Sequence, residues 1–327
     1  MAKFLVTITG ATGRLGVPVV KTLENKFSLR LLARNAAKAK KLFPGKKVVE
    51  IDLEKAGVTE IQNAVKGSWA VVNLAGLVDL CASREKLFSI NCEATRKVVR
   101  GCEREKIPFF IHCSSISVYA DSTDLISENN LRKPTTIYGE SKLAAEKAVT
   151  HSHLQWVMLR PGIIYGPHFQ EGFGNLLKQM QRGSAAVIGS GNNKVPLVYE
   201  DDVAKAFLKT LQLLKAGNKK NKEIIHNAFN VAGDHPTQLE AYRALADIFG
   251  LQVPKRHVPV KFAVAIASAV SLYCDLVGKK KSFPPEYVEL LARHRVYNTA
   301  KAKKMLRFTA STPLVKGMQE VRKTWKV

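Results

Sequence analysis

The sequence is short of acid. Its 327 residues hold 27 aspartates and glutamates against 51 lysines and arginines, a formal charge of +24. So basic a surface attracts nucleic acid, anionic lipid or acidic ligands. Nucleic acid is not the expected partner, because no Lys/Arg stripe interleaved with aromatics, no zinc-finger spacing and no RNP-like motif is present. The basic residues cluster instead. From Arg295 to Val327 there are nine against one acid, and lysines gather at 215 to 222 and at 279 to 281. Solvated faces, or peripheral contact with an anionic membrane, account for such clusters.

Cysteine is also scarce. The five residues Cys81, Cys92, Cys102, Cys113 and Cys274 are odd in number and show no CxxC spacing. That excludes a disulfide framework and fits reduced thiols in a cytoplasmic compartment. The eight histidines are scattered, so no metal site is expected. The N-terminal MAKFLVTITG has too short an apolar run for a signal peptide and leads straight into a glycine turn. Repeats and low-complexity segments are missing too. The strongly apolar stretch 259–277 has thirteen residues without a charge, Phe262 to Cys274. A membrane-spanning helix needs ~20. Basic flanks leave three readings open for it: a lid or core helix, a helix lying on an anionic membrane, or a contact between copies.

What is present is alternation. Short apolar runs at 4–9, 28–33, 47–51, 69–74, 107–114 and 154–160 read as buried strands. Between them lie helical stretches near 15–25, 36–43, 57–66, 84–105 and 136–150. Such a chain predicts an α/β fold, a doubly wound parallel sheet covered on both faces. Beyond Arg160 the pattern loosens. Helices are expected near 173–182, 201–215, 237–249, 284–293 and 312–325, with a strand at 225–233. Residues 1–160 then form a dinucleotide-binding unit to which the chain returns near 195–232. Residues 161–327 form mainly a smaller, mostly helical and discontinuous substrate lobe.

The first strand runs into LVTITGATGRLG, with Gly10, Gly13 and Gly16 ahead of an apolar helix. Glycines there permit a tight turn and let backbone N–H groups approach a pyrophosphate, so Thr12, Arg14 and Leu15 join the cofactor candidates. A plain strand-to-helix turn is the bland alternative. An NAD site commonly ends its second strand in Asp or Glu. Here that strand ends LRLLARNAAKAKKL, with Arg34 in the acid's place and Arg14 and Lys38 available. Cations there pair with a 2′-phosphate, which favours NADP(H) over NAD(H), unless Arg34 only stacks on the adenine. Asp52 and Leu53 after the third strand, and Asn73, Ala75 and Gly76 after the fourth, complete the cofactor lining.

Tyr138 and Lys142 stand four apart in TIYGESKLAAEKAV and so share a helical face. They suit proton transfer, and equally an ordinary surface pair. The choice between these comes from the whole set TGATGRLG, VEIDL, NLAG, NCEATRKVV, HCSSISVYA, YGESK, LRPGIIYGP and PLVYEDDVA. In order and spacing it resembles the extended short-chain dehydrogenase/reductase family, the superfamily of NAD-dependent epimerases and dehydratases, over nearly the whole chain. The resemblance makes Tyr138 and Lys142 the proton-handling pair beside the nicotinamide. It places their serine partner at Ser115, with Ser114 the lesser candidate, and Asn91 as the asparagine that holds water or backbone near the lysine. Pro161 and Ile163 fall among the cofactor contacts. Beside the analogy, a free phenol titrates near ~10. A neighbouring Lys⁺ and an oxidised nicotinamide favour its phenolate.

Nucleotide-sugar members often carry an asparagine where this chain has Ile163, and an arginine where it has Val195, beside Lys194. Dehydratases use an acid/base pair where this chain has Ile116 and Ser117. The motifs LRPGIIYGP and PLVYEDDVAKA look more like the 3β-hydroxysteroid dehydrogenase and dihydroflavonol reductase branch. That resemblance implies an NADP(H)-dependent oxidoreductase acting on a hydrophobic hydroxy or keto compound of steroid, isoprenoid, polyketide or flavonoid type. Leu77, Val78, Ser117, Ile164, Tyr165 and His168 are the substrate-wall candidates, each equally able to serve as packing or hinge, with His168 a polar rim residue. A nucleotide-sugar epimerase or dehydratase, and a non-enzymatic dinucleotide sensor or nucleic-acid binder, are the rival readings. Helices 84–105 and 135–150 are the candidates for a homodimer contact.

Overall fold

The computed structural model describes residues 3–122, 124–170, 172–217, 222–277 and 284–325. Lys219, Lys220, Lys279 to Lys281 and Lys326 of the basic clusters lie outside them. Seven strands form one parallel sheet: β1 (Leu5–Thr9), β2 (Ser28–Ala33), β3 (Lys47–Glu50), β4 (Ala70–Asn73), β5 (Phe109–Cys113), β7 (Gln155–Pro161) and β11 (Asn227–Val231). Their order across the sheet is β11-β7-β5-β4-β1-β2-β3. Six short strands pair separately, all in parallel: β10 (Leu197–Tyr199) with β8 (Ile163–Tyr165), β12 (His257–Val258) with β9 (Val187–Ile188), and β13 (Val296–Tyr297) with β6 (Leu125–Ile126).

Each central strand is apolar on both faces because helices cover both. On one face α1 (Gly16–Leu23) and α8 (Glu200–Ala216) pack against β1 and β7 through Val19, Val20, Val203 and Phe207. On the other, α3 (Val58–Val65) and α5 (Ala94–Arg104) bury Ile61, Val98 and Cys102 beside Val71 and Phe110. These two helices approach so closely that a Cβ on Gly101 would lie 2.8 Å from Ile61 Cγ2. Late in the chain, α8 packs into the core beside α1, and β11 adds to the sheet beside β7.

Strand order reverses between β1, which pairs with β2 on one side, and β4 on its other side. The crevice beyond the carboxyl ends of these strands is where ligands bind in such sheets. The lobe beside it is held by a separate core of Leu177, Leu245, Met318 and Trp325, drawn from α7 (Phe173–Gln181) and from helices Gln238–Phe249 and Leu314–Thr324. Thr237 and Glu240 close a capping box on the middle one.

One expected helix is not uniform. In place of a single helix over 84–105, α4 (Arg84–Phe88) passes through a π-helical turn, Ser89–Glu93, into α5. Such a turn re-aims side chains within a helix, and this one contains the buried Asn91. Among the described residues no helix is long and apolar enough to cross a membrane.

Candidate active site

The crevice is built first from absent side chains. Gly10 has φ 66°, and a Cβ there would lie 2.8 Å from the Ala75 nitrogen. At Gly16, the first residue of α1, a Cβ would lie 2.2 Å from the Gly10 oxygen. Gly13 N–H donates to that same oxygen at 2.9 Å. Backbone therefore meets backbone at the helix N-terminus, with Thr12 and Leu15 half-buried beside it. That bareness is what a dinucleotide pyrophosphate requires, and the turn fits one. Thr9 fixes the opposite wall: its Oγ1 accepts from the N–H groups of Leu74 and Ala75, both at 3.1 Å, and donates to Asn73 Oδ1 at 2.6 Å. Asn73 is thereby turned inward. Its amide also meets Thr95 Oγ1 and His112 Nδ1, so it holds the wall rather than lining the crevice. Ala75 is half-buried and Gly76 exposed, a Cβ on Gly76 falling 3.9 Å from Lys142 Nζ.

The two ends of the crevice differ in charge partners. Arg34 is exposed immediately after β2, and Lys38 is exposed in α2 (Ala36–Leu42), whose cap is Asn35. Asp52 folds back on its own loop by accepting from Glu54 N–H at 3.0 Å, and Leu53 is buried. Glu54, which the sequence did not single out, takes Lys86 at 2.9 Å and Ser89 at 2.9 Å. These two bonds hold its carboxyl below the usual range, with Arg34 adding to them through space. Arg14 departs from the expectation that it joins Arg34. Its Nη2 lies 3.5 Å from the Val78 oxygen and its guanidinium 5.6 Å from the Phe169 ring centroid. It extends towards the catalytic end because the turn projects it over loop 77–78, away from β2.

At that end four elements converge. Ser115 N-caps a short 3-10 turn, Ile116–Val118, after β5. Thr136 N-caps α6 (Ile137–Thr150), which carries Tyr138 and Lys142. Gly139 lets these two turns touch, since a Cβ on it would lie 2.3 Å from the Ser117 oxygen. Tyr138, Ser115, Lys142 and Asn91 are all buried. The Ser115 hydroxyl is hydrogen-bonded to the Tyr138 phenol, accepts Ser117 N–H at 3.1 Å and donates to Ser117 Oγ at 3.2 Å. Lys142 Nζ donates to the Cys113 carbonyl at 2.6 Å. Asn91 accepts from Leu77 N–H at 2.7 Å and donates to Leu77 O and to Ser141 Oγ, which in turn donates to the Tyr138 carbonyl. Cys113 and Ser141 were not singled out from the sequence.

Burial sets the electrostatics of the pair. Burial dominates the Tyr138 phenol and pushes it up to about 12, while the Ser115 hydrogen bond and the Arg14 guanidinium pull it down by less. Arg14 is thus a cation whose field favours the phenolate, and Lys142 Nζ, one turn away, is held on the Cys113 carbonyl. Burial lowers the Lys142 pKa, and Glu146 opposes that shift.

The wall candidates divide. Leu77, Ile163 and Ile164 are half-buried, Val78 is 53% exposed, and Pro161 is buried at the end of β7. Ser117 belongs to the Ser115 turn. Tyr165 belongs to the lobe core, tilted against Tyr199 at 5.6 Å and edge-on to Phe173 at 6.3 Å. His168 is pinned by Glu200, through Nδ1 at 2.6 Å and its backbone N–H at 3.0 Å. Among the described residues no cluster of three metal-binding side chains occurs.

Comparison with known proteins agrees with this geometry. Residues 6–232 match the model of the NAD dependent epimerase/dehydratase family. The 3beta-hydroxysteroid-dehydrogenase/decarboxylase isoform 1 of Arabidopsis thaliana is 25% identical over 276 residues, 80% of this chain and 63% of that protein. A second curated relative, isoform 2, is spanned over 49% of its length, so the chain corresponds to about half to two-thirds of these proteins. The decarboxylating sterol-4-alpha-carboxylate 3-dehydrogenase of Saccharomyces cerevisiae is 25% identical over 84% of this chain and 82% of its own. The crystal structure of UDP-glucuronic acid 4-epimerase from Bacillus cereus in complex with NAD superimposes with a TM-score of 0.76, covering 99% of this chain and 100% of that one at 20% identity. The chain belongs to the NAD-dependent epimerase/dehydratase family, the extended short-chain dehydrogenases/reductases.

Proposed function

We propose that this family member interconverts a hydroxyl and a ketone on a hydrophobic small molecule, with NADP(H) as its dinucleotide. The observation that carries the reading is the buried Tyr138 phenol, hydrogen-bonded to Ser115 beside the glycine turn. The bound dinucleotide supplies or accepts the hydride. The chain does the rest. Gly10, Gly13 and Gly16 admit the pyrophosphate, and Lys142, fixed on Cys113, presents its ammonium within reach of Gly76. In the reductive direction Tyr138 donates its proton to the substrate oxygen as the alkoxide forms, while Ser115 hydrogen-bonds that oxygen and aligns it. In the oxidative direction the proton returns to the phenolate.

Two features support the substrate class. Ile163 stands where an amide would serve a sugar nucleotide, and an unmet hydrogen bond costs such a ligand affinity. The Arabidopsis and yeast relatives bear hydroxysteroid and sterol names. A steroid-like, isoprenoid, polyketide or flavonoid skeleton fits both. NADP(H) is supported by the exposed Arg34 at the end of β2, with no carboxylate in the usual acid position.

Fluorescence titration with NADPH and NADH, then a ketone panel read at the nicotinamide absorbance band, tests the reading. Arg34→Ser should weaken NADPH about tenfold or more and leave NADH unchanged. Tyr138→Phe should cost about 10²- to 10⁴-fold in kcat with cofactor affinity intact. Full turnover by Tyr138→Phe refutes the mechanism. Retained NAD⁺ with saturable binding of a UDP-sugar would make the protein an epimerase instead.

A further inference from the structure

The apolar stretch that the sequence left with three readings is a helix, Val260–Leu276, attached to the lobe by a narrow seam. Ala263 and Ala267 bury against Val288 of helix Pro285–Ala292, with Ile188 and Val258 alongside. The opposite side is open and greasy. Phe262, Ile266, Val270, Tyr273 and Val277 follow one another at spacings of three and four, all exposed. Leu272 and Leu276 widen the stripe, at 62% and 77% exposure. Of fourteen large apolar side chains that the described residues leave exposed, seven lie between Phe262 and Val277. A helix apolar on all sides is ordinarily buried, and contiguous exposed apolar surface marks an interaction site.

The occupant is set by charge. Lys255, Arg256 and Lys261 are exposed at one end of the stripe. The sequence continues past the other end with Lys279, Lys280 and Lys281, and no acid occurs between Asp247 and Asp275. A second copy would bring another +24 to a surface already rimmed with lysine. An anionic bilayer offers the complement: hydrocarbon for the stripe and lipid phosphates for its rim. The face is a helix standing proud, about 25 Å long by its residue count. It is not a groove with polar anchors for one protein ligand.

We propose that helix Val260–Leu276 lies in the interface of an anionic membrane, its stripe immersed among the acyl chains and the basic residues at its start, Lys255, Arg256 and Lys261, at the headgroups. The seam places this face close to the crevice. Helix Pro285–Ala292, on which it rests, is followed by Arg293, which bonds Thr135 Oγ1 at 2.7 Å, one residue before the cap of the helix carrying Tyr138. An apolar substrate would then pass from lipid to crevice without crossing bulk water, a consequence that rests on the function proposed above. Membrane docking itself does not.

The test is flotation of the whole chain with vesicles of phosphatidylcholine and phosphatidylglycerol at 3:1, against phosphatidylcholine alone, in 0.1 M and 0.5 M salt. The expected result is binding to the anionic vesicles, at least tenfold weaker on neutral ones and weakened by salt. Leu272→Asp with Leu276→Asp should lower it at least tenfold again, while NADPH titration and turnover of a water-soluble ketone stay unchanged. Absence of binding to anionic vesicles overturns the proposal. So does binding that the double variant retains in full, or a dimer that this variant dissociates in a chain that ignores vesicles. If vesicles bind but no ketone turns over, the proposed function fails and the docking surface stands.

Discussion

Replacing Glu146 by Gln should destabilise the protein more than any exposed substitution, and the crevice should register it. Glu146 is fully buried on α6, one turn beyond Lys142. It accepts Arg160 Nε at 2.7 Å, Arg160 Nη2 at 2.7 Å and the Ser114 hydroxyl at 2.5 Å. Arg160, in β7, is itself only 3% exposed and donates to the Tyr119 hydroxyl at 2.7 Å. Burial alone would lower the Arg160 pKa, yet Glu146, with Tyr119 behind it, holds it above its ordinary value. The glutamine keeps the shape and removes the charge, leaving the buried Arg160 guanidinium, and the exposed Arg132 that reaches Glu146 Oε2 at 3.5 Å, without their counterion. Breaking such a pair costs about 3–5 kcal/mol. The second step decides whether that reasoning is sound. Glu146→Leu combined with Arg160→Met removes both charges and should recover most of the loss. The remainder is the unpaired Ser114 hydroxyl, about 1–3 kcal/mol. Urea unfolding followed by tryptophan fluorescence and by circular dichroism measures all three variants. A Glu146→Gln cost under ~1 kcal/mol, or a double variant worse than either single one, would refute the account.

Gly139→Ala should lower kcat about 10²-fold while NADPH affinity holds, because its Cβ would meet the Ser117 oxygen at 2.3 Å and Pro134 Cβ at 2.8 Å and push Tyr138 away from Ser115. Unchanged kcat would show that the two turns can part freely. Stability should also fall in mild acid because of His112. Burial first, and Lys142 second, hold its imidazole pKa well below 6.5, so the unfolded chain takes up a proton there that the fold refuses. This contribution is complete above pH 6.5 and is lost as pH falls below it, at about 1.4 kcal/mol per unit. His112→Phe should flatten the slope, and identical pH profiles of the urea midpoint for both proteins would count against it.

How far these features were legible depends on whether a letter or a direction carried them. The glycine turn was readable because Gly10 and Gly16 are required by contacts to backbone, and backbone is the same in every chain. Tyr138 and Lys142 were readable because helical spacing fixes a shared face. The partner of Lys142 was not, since a carbonyl has no letter of its own and Cys113 O is chosen only when β5 meets α6. Arg14 misled for a related reason. Its position in the turn was evident, but its side chain reaches some way across, and Val78 and Phe169 come from loops distant in sequence. The sequence leaves Tyr165 open between wall and packing, and it packs in the core because Tyr199 and Phe173 arrive from later elements. A signal for the Glu146–Arg160 pair existed: a charge inside the buried strand VMLRP demands a counterion, and Glu146 sits on the face set by Tyr138 and Lys142. Helix 260–276 shows the opposite limit. Its apolarity was plain, but which side faces outward depends on the two alanines that meet Val288.

The direction of proton flow follows from the same distinction. Fields made by the chain's own groups leave the Tyr138 phenol near 12, so at neutral pH only on the order of one molecule in 10⁵ is ionised. A phenol so weakly acidic is still a competent donor to a forming alkoxide, whose conjugate acid is weaker still, and reduction needs no further charge. Oxidation needs the phenolate, and the protein alone supplies little of it, since burial outweighs the Ser115 hydrogen bond and the Arg14 guanidinium. In the function proposed above, the oxidised nicotinamide ring would supply positive charge beside the phenol, which ties removal of the proton to the presence of the group that takes the hydride. Such coupling would protect the buried tyrosine from ionising when there is nothing to oxidise.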